Sequence, residues 1–444
     1  MTRPNHPSIV VIAVDTLRPD HLGCYGYGKP TSPAIDRLAE RSLVFDRALA
    51  AGIPTTPSFT TMLTGLHPYR HRVLTHPGDH LAGSTLMLAQ LAKRAGYTTI
   101  GCDNLVVQGH GRGAWFARGY DYYTGFVYEP FGEQSADLTD RALRLLSRSG
   151  DDPTFLFVHY WDPHTPYGPR PPYDTLHYQP GSGPVDMAEV RAIYPEYYDA
   201  FLAEMHLEHD DYAYVVAQYD GEISQVDAQV GRLLDGVPDD AIVLLVSDHG
   251  EAFGEGGLYF DHHGLYDAVT RITMMLRVPG EPAGRTDRMM STEDVLPTLC
   301  ALAEIDLPDY PLTGQNVLAG ARRDRIISVE SSRQASLALR TESHKLILPI
   351  TEDIAGRPLT DVYGRPRNPE PLLYDLIADP SESRDLAAVH PELTTSMLAE
   401  LSDWRAAEVG AGDDPILTAG LSLPYDKFMA RRLARLHEST GQPS

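Results

Sequence analysis

The sequence predicts an α/β protein, with a largely parallel central sheet sandwiched between helices and a small α+β unit after it. Three observations carry this expectation. Short β-branched runs alternate with helical patterns through most of the chain, the order that yields parallel strands joined by crossover helices. The chain has 444 residues, 42% of them apolar, enough for a large core and for two or three domains. After about Arg322 the apolar runs become closely spaced, with no long helical stretch between them, which suits antiparallel strands.

Ile9–Asp15, Thr98–Cys102, Phe155–His159, Ile242–Ser247 and Thr273–Val278 are short apolar runs and read as buried strands. Ser32–Arg41, Ser84–Ala95, Ser135–Ser149 and Tyr219–Leu234 carry apolar residues at helical spacing, three of them behind a serine suited to an N-cap. A shorter helical pattern covers Ser58–Leu63. Thr165–Asp211 then breaks the alternation. It is rich in proline and glycine, and ten of the chain's 24 tyrosines lie between Tyr160 and Tyr219. Two readings fit: a surface excursion packed on its own aromatics, or an active-site lid whose rings meet the substrate. Further on, Arg325–Val329, Leu337–Arg340 and His344–Leu348 read as strands, Thr351–Pro371 as a polar link and Pro391–Ala407 as a helix. Lys427–Leu436 is a basic amphipathic helix suited to docking on the body. The expected organisation is a catalytic domain over residues 1–322, with a lid at 165–211, and a C-terminal subdomain over 323–444.

Lysine and arginine number 37 against 61 acidic residues, a net charge of −24. That balance argues against a nucleic-acid partner, and an anionic substrate must then be drawn in by a local positive site such as a bound metal. The three cysteines, Cys24, Cys102 and Cys300, form neither a zinc motif nor a disulfide framework, which fits a reducing compartment. The apolar run Ile9–Val14 is too short for a signal peptide or a membrane span, and no later run reaches the ~18 residues a span needs. A cytoplasmic protein without a membrane partner is expected.

Chemistry-bearing residues fall at the ends of the expected strands, where ligands sit in parallel sheets. Asp15 ends the first strand, and Ser247-Asp248-His249-Gly250-Glu251 ends another. Either motif alone would read as a cap or a satisfied core histidine. Together they place two carboxylates and an imidazole on one rim, a donor mix suited to manganese or zinc, with calcium or magnesium as alternatives. Thr55 lies directly before Ser58–Leu63, in Ile53-Pro54-Thr55-Thr56-Pro57-Ser58. A hydroxyl there commonly caps the helix. The same place suits a nucleophile, because helix amides stabilise an oxyanion and a metal lowers the hydroxyl's pKa. Among 18 histidines, His159 and His164 follow the Phe155 run, and Asp261-His262-His263 follows Asp248 by a glycine-rich loop. They are candidates to protonate a leaving oxygen or to ligate a second metal.

These motifs resemble the sulfatase family of the alkaline phosphatase superfamily. Val14-Asp15-Thr16-Leu17-Arg18-Pro19-Asp20-His21-Leu22-Gly23-Cys24-Tyr25-Gly26 is similar to the opening of bacterial sulfatase-like proteins. Thr55-x-Pro57-Ser58 with Leu63-Thr64-Gly65 resembles the signature Cys-x-Pro-Ser-Arg and its trailing Leu-Thr-Gly. Ser247–Glu255, Asp294–Leu299, Leu373–Leu376 and Asp379-Pro380-x-Glu382 are also similar to family motifs. The resemblance spans nearly the whole chain in order. It implies an alkaline-phosphatase-like three-layer sandwich with a small C-terminal subdomain. It further implies a divalent cation held by Asp15, Asp248 and His249 in contact with Thr55. His164, in Pro163-His164-Thr165-Pro166, would then meet the ester or its leaving group, and His262 would stand where a basic residue is usual.

Departures from the family pattern shift the expected chemistry. Sulfatases convert a cysteine or serine to formylglycine, whose hydrated aldehyde attacks sulfate; oxidising threonine would give a ketone instead. The signature arginine is Phe59, the usual Gly-Lys region reads Gly101-Cys102-Asp103-Asn104, and the second aspartate after Asp15 is Thr16. Threonine nucleophiles are familiar among phosphodiesterases and phosphoryl-alcohol transferases of the superfamily. The expectation is a metal-dependent hydrolase of a small phosphate or phosphonate ester, with Thr55 as nucleophile and His164, His262 or His263 in acid–base roles. The rivals are a sulfuric ester hydrolase using threonine directly, a soluble transferase, and a catalytically dead binding protein.

Overall fold

A computed structural model of the protein describes residues 6–75, 80–103, 114–125, 134–150, 152–180, 185–193, 195, 205, 211–307, 309–320, 322–331, 334–361 and 364–418. The expected helix Lys427–Leu436, Asn104 and parts of the 165–211 segment lie outside these residues. The strands run β1 (Ile9–Val14), β2 (Leu43–Leu49), β3 (Gly52–Ile53), β4 (Thr98–Cys102), β5 (Tyr122–Thr124), β6 (Thr154–Tyr160), β7 (Ile242–Val246) and β8 (Ala252–Phe253). They continue as β9 (Tyr259–Asp261), β10 (Arg271–Ile272), β11 (Met274–Arg277), β12 (Gly284–Ser291), β13 (Arg325–Ser331), β14 (Ala335–Thr341), β15 (His344–Pro349) and β16 (Leu372–Asp375).

The central sheet has nine strands in the order β10-β2-β11-β7-β1-β6-β4-β5, with β12 paired to β2. β1 lies between β6 and β7 and is parallel to both, and β4 continues the parallel set beside β6. β11, the expected strand over Thr273–Val278, runs antiparallel to β7 and β2. A parallel return from β7 needs a crossover helix. Between β7 and β11 the chain has only short strands, a single 3-10 turn and the four-residue helix Asp267–Thr270, so it comes back antiparallel. β2 and β12 were not anticipated, because Asp46, Arg47, Asp287 and Arg288 interrupt their apolar pattern.

Successive β1 residues feed opposite faces. Ile9, Val11 and Ala13 join one core cluster, and Val10, Ile12 and Val14 join the other. The helix Tyr212–Asp235 seals the second face with Val215, Tyr219, Ile223, Val226, Val230 and Leu233, at helical spacing. On the first face, the helix Thr55–Thr64 contributes Phe59, Met62 and Leu63. A five-stranded sheet, β16-β15-β14-β13-β3, takes its edge strand from the N-terminal half: β3 pairs parallel with β13 and leads straight into Thr55. Leu337, Leu339, Leu346 and Leu373 of this sheet pack with Met397 and Leu401 of the helix Pro391–Val409. No helix among the described residues is long and apolar enough to cross a membrane.

Described tyrosines in and beside the 165–211 segment pack or bond within the protein. Tyr167 is buried 5.5 Å from Tyr219 between ring centroids, the Tyr160 hydroxyl bonds Thr139, and the Tyr212 hydroxyl donates to Phe253 O. The root of the segment is pinned to the long helix, Gly168 N donating to Glu222 Oε1 at 2.7 Å and Arg170 N to Gln225 Oε1 at 2.8 Å. Asp162 hydrogen-bonds Glu222; burial raises both carboxyls, and the Asp162 charge raises Glu222 further. The folded state therefore keeps a proton that an unfolded glutamate releases above its ordinary value of 4.5. Its contribution to stability is complete below that pH and fades as pH rises through the raised value. Glu222→Gln replaces the shared proton with an amide donor. Thermal unfolding from about pH 5 to pH 8 should decline less steeply for the variant than for the wild type, by up to ~1.4 kcal/mol per pH unit. Parallel curves would remove the shared proton from this account.

Candidate active site

Parallel pairing of β1 and β7 sets the site. Asp15 follows β1 and Asp248 follows β7, so the two carboxylates emerge side by side from adjacent strand ends. Asp15, Asp248 and His249 are fully buried, and each offers a ligand atom within 4.8 Å of the others. Their orientation is fixed from behind. Asp248 Oδ1 accepts from the amides of His249 (2.9 Å) and Thr16 (3.2 Å), which turns Oδ2 inward. Thr16, which stands where the family has its second aspartate, supplies this amide from a left-handed backbone, φ 53°. His159 Nε2 sits 3.2 Å from Asp15 Oδ2, leaving Oδ1 to face His249.

His249 Nδ1 donates to Gly250 O at 3.0 Å, so Nε2 presents its lone pair to the site. Around that lone pair lie Asp248 Oδ2 at 3.2 Å, Thr55 Oγ1 at 3.3 Å and Asp15 Oδ1 at 3.8 Å. Asp248 Oδ2 accepts no hydrogen bond among the described residues. The two carboxylate oxygens and the imidazole lone pair, buried this close, repel unless a cation lies between them. The spacings match the ~3.4 Å edge of a tetrahedron with ~2.1 Å bonds, so the residues fit a divalent metal.

Thr55 begins its helix, three residues earlier than the sequence pattern suggested. Pro54 precedes it and offers no side-chain cap, while its carbonyl accepts from Ser58 N at 3.2 Å. Ser58 Oγ donates to Asp248 O at 2.7 Å and locks this helix to the loop after β7. Phe59, in place of the signature arginine, packs on the His159 ring at 4.6 Å and so backs the histidine that holds Asp15. Asp103, in the usual Gly-Lys region, is buried and accepts from the Tyr123 hydroxyl, supplying no positive contact.

His164, His262 and His263 all reach the same region. The His262 ring stacks on His249 at 5.0 Å, lies 4.6 Å from His164 and 4.7 Å from His263. His164 also packs on Trp161 at 4.5 Å, and its Nδ1 is 2.5 Å from Thr165 O. The sequence does not single out Glu251 as a site residue, although it closes the Ser247–Glu251 motif. Glu251 is fully buried and accepts from Thr165 Oγ1 at 2.7 Å; burial, opposed by that bond and aided by the Asp261 charge, pushes its carboxyl up to about 8. Gly250 is required beside it, since a Cβ would lie 2.1 Å from Ala268 O.

The Tyr266-Asp267 pair does not enter the site. Asp267 binds Lys345 at 2.5 Å and Arg340 at 3.0 Å, and its amide donates to Glu382. Glu382 in turn pairs with Lys345 at 2.9 Å, so these motif residues join the two sheets.

Replacing Asp248 with alanine deletes the inward oxygen and both backbone acceptor bonds. The variant should lose about one equivalent of divalent metal per chain, read by elemental mass spectrometry on folded protein. An unchanged metal content would contradict the ligand set.

Comparison with known proteins shows the family. The family model described as Sulfatase matches residues 7–305. The ulvan-active sulfatase of Formosa agariphila is 25% identical over 442 aligned positions, covering 90% of this chain and 82% of its own. The choline-sulfatase of Rhizobium meliloti is 27% identical, covering 90% and 86%. Among solved structures, the phosphonate monoester hydrolase of Agrobacterium radiobacter shares the fold with a TM-score of 0.72 at 22% identity, over 90% of this chain and 96% of its own. The chain belongs to the sulfatase family of the alkaline-phosphatase-like superfamily, whose members are hydrolases of ester bonds.

Proposed function

We propose that the chain hydrolyses a small phosphate or phosphonate ester, with Thr55 as nucleophile and a divalent cation at Asp15, Thr55, Asp248 and His249. One observation carries the reading: at the signature position stands a buried hydroxyl, Thr55 Oγ1, 3.3 Å from His249 Nε2 at an uncapped helix start. The family generally binds a divalent metal, and the mixture of carboxylate and imidazole favours manganese or zinc, ahead of calcium or magnesium. When bound, such an ion lowers the pKa of the hydroxyl and offsets charge on the ester oxygens.

Thr55 Oγ1, as the alkoxide, attacks phosphorus in line at the N-terminal end of its helix, where the helix dipole favours the ester anion. The bond to the alcohol oxygen breaks, and His164, acting as the imidazolium with Nδ1–H donated to the Thr165 carbonyl, delivers its Nε2 proton to that oxygen. Water then displaces the phosphoryl group from Thr55. A net charge of −24 supports a small substrate over a polyanion.

A second reading, a sulfuric ester hydrolase, is favoured by relatives named for sulfate esters. Its difficulty is chemical. A hydrated aldehyde can release sulfate without a second displacement at sulfur, and a threonine ester cannot.

Initial rates on p-nitrophenyl sulfate, phosphate and a phosphate or phosphonate diester, with metal-reconstituted protein, separate the two. Phosphorus esters should turn over faster, and Thr55→Ala should lower that rate by about 10³-fold or more while metal stays bound. A dominant sulfate rate would overturn the phosphorus reading, and full activity in the Thr55 variant would overturn the nucleophile.

A further inference from the structure

We propose a second divalent cation site in this chain, formed by Glu251, Asp261, His262 and His263 beside the Asp15–Asp248–His249 set. Asp261, His262 and His263 each offer a ligand atom within 4.8 Å of the others, and all three are buried. Glu251 supplies the independent observation. It is fully buried, and its Oε1 accepts no hydrogen bond among the described residues while lying 3.8 Å from His262 Nδ1. A buried carboxyl oxygen at ion-pair distance from a buried imidazole places two donors where one cation can use both.

Local geometry prepares the donors. Asp261 Oδ1 accepts from the His263 amide at 3.0 Å and faces His263 Nδ1 at 2.5 Å. That bond places the proton on Nδ1 and the lone pair on Nε2, as a carboxylate does for a ligating histidine. The loop is held in a demanding shape to achieve this: Phe260 has φ 54°, Gly264 has φ 101°, and Gly264 N is fixed by buried Glu330 Oε1 at 2.9 Å. A turn-stabilising role would account for the Asp261–His263 contact but leaves Glu251 Oε1 unexplained.

The donor set, two carboxylates and two imidazoles, suits zinc or manganese. The His249–His262 stack makes the two sites neighbours with a common wall. A cation at each would place two positive centres against the oxygens of one ester, an arrangement that stabilises both the attacking and leaving oxygens. With His262 and His263 as ligands, proton transfer falls to His164. The inference holds whichever ester is cleaved.

The test uses full-length protein stripped with chelator and titrated with zinc or manganese, with metal per chain read by elemental mass spectrometry and calorimetry. Wild type should bind two equivalents, and Asp248→Ala should keep one. His263→Ala and the near-isosteric Glu251→Gln should each lose the other equivalent or bind it at least 10-fold more weakly. Circular dichroism reports folding, and if the histidine variant fails to fold, Glu251→Gln alone decides. One equivalent in wild type overturns the second site; so do two equivalents that Glu251→Gln leaves unchanged. Loss confined to Asp248→Ala would preserve the first site and reject only the second.

Discussion

Buried acceptors forced together at the ends of two parallel strands are the constraint on which the rest of this structure depends. Asp15 Oδ1, Asp248 Oδ2 and the His249 lone pair would separate if left to themselves, since like partial charges removed from water repel. Each is held from behind instead: His159 on Asp15, two backbone amides on Asp248, and the Gly250 carbonyl on His249. The fold stores a site that is unfavourable empty and favourable around a cation. That is the electrostatic condition for high metal affinity.

Much of the surrounding structure serves this preorganisation. Arg18 ties the loop after β1 to the loop after β7 through Glu251 O at 2.8 Å and Glu255 at 2.9 Å. Tyr219, on the long helix, accepts from Arg18 N and donates to Thr16 O at 2.7 Å, so the helix that covers one face of the sheet also braces the first ligand loop. The C-terminal sheet acts from the other side, where β13 pairs with β3 just before Thr55. Lys345, almost fully buried, closes that junction between Asp267 and Glu382. Its charge is matched by two carboxylates, which removes the desolvation penalty of an unpaired ammonium.

The family departures form a coherent set. Phe59 fills with an aromatic ring the place of a cation, and the ring supports His159. Thr16 gives up a carboxylate ligand but contributes the amide that turns Asp248. Asp103 is consumed by a tyrosine hydroxyl. In their place the site gathers histidines, the His164, His249 and His263 rings all packing on His262.

Periodicity and composition determined the fold class, the order of β1, β4, β6 and β7, and the strand-end positions of Asp15 and Asp248, because a buried parallel strand must be a continuous apolar run and its end must be polar. The choice between cap and ligand was not local information. It depends on parallel pairing, which brings residues 15 and 248 to one rim, and on the second sheet, which sets Thr55 against them. The antiparallel return of β11, the polar-patterned β2 and β12, and the roles of Glu251 and His159 were likewise tertiary. Each depends on partners from about 30 to more than 220 positions away, beyond the reach of any local pattern.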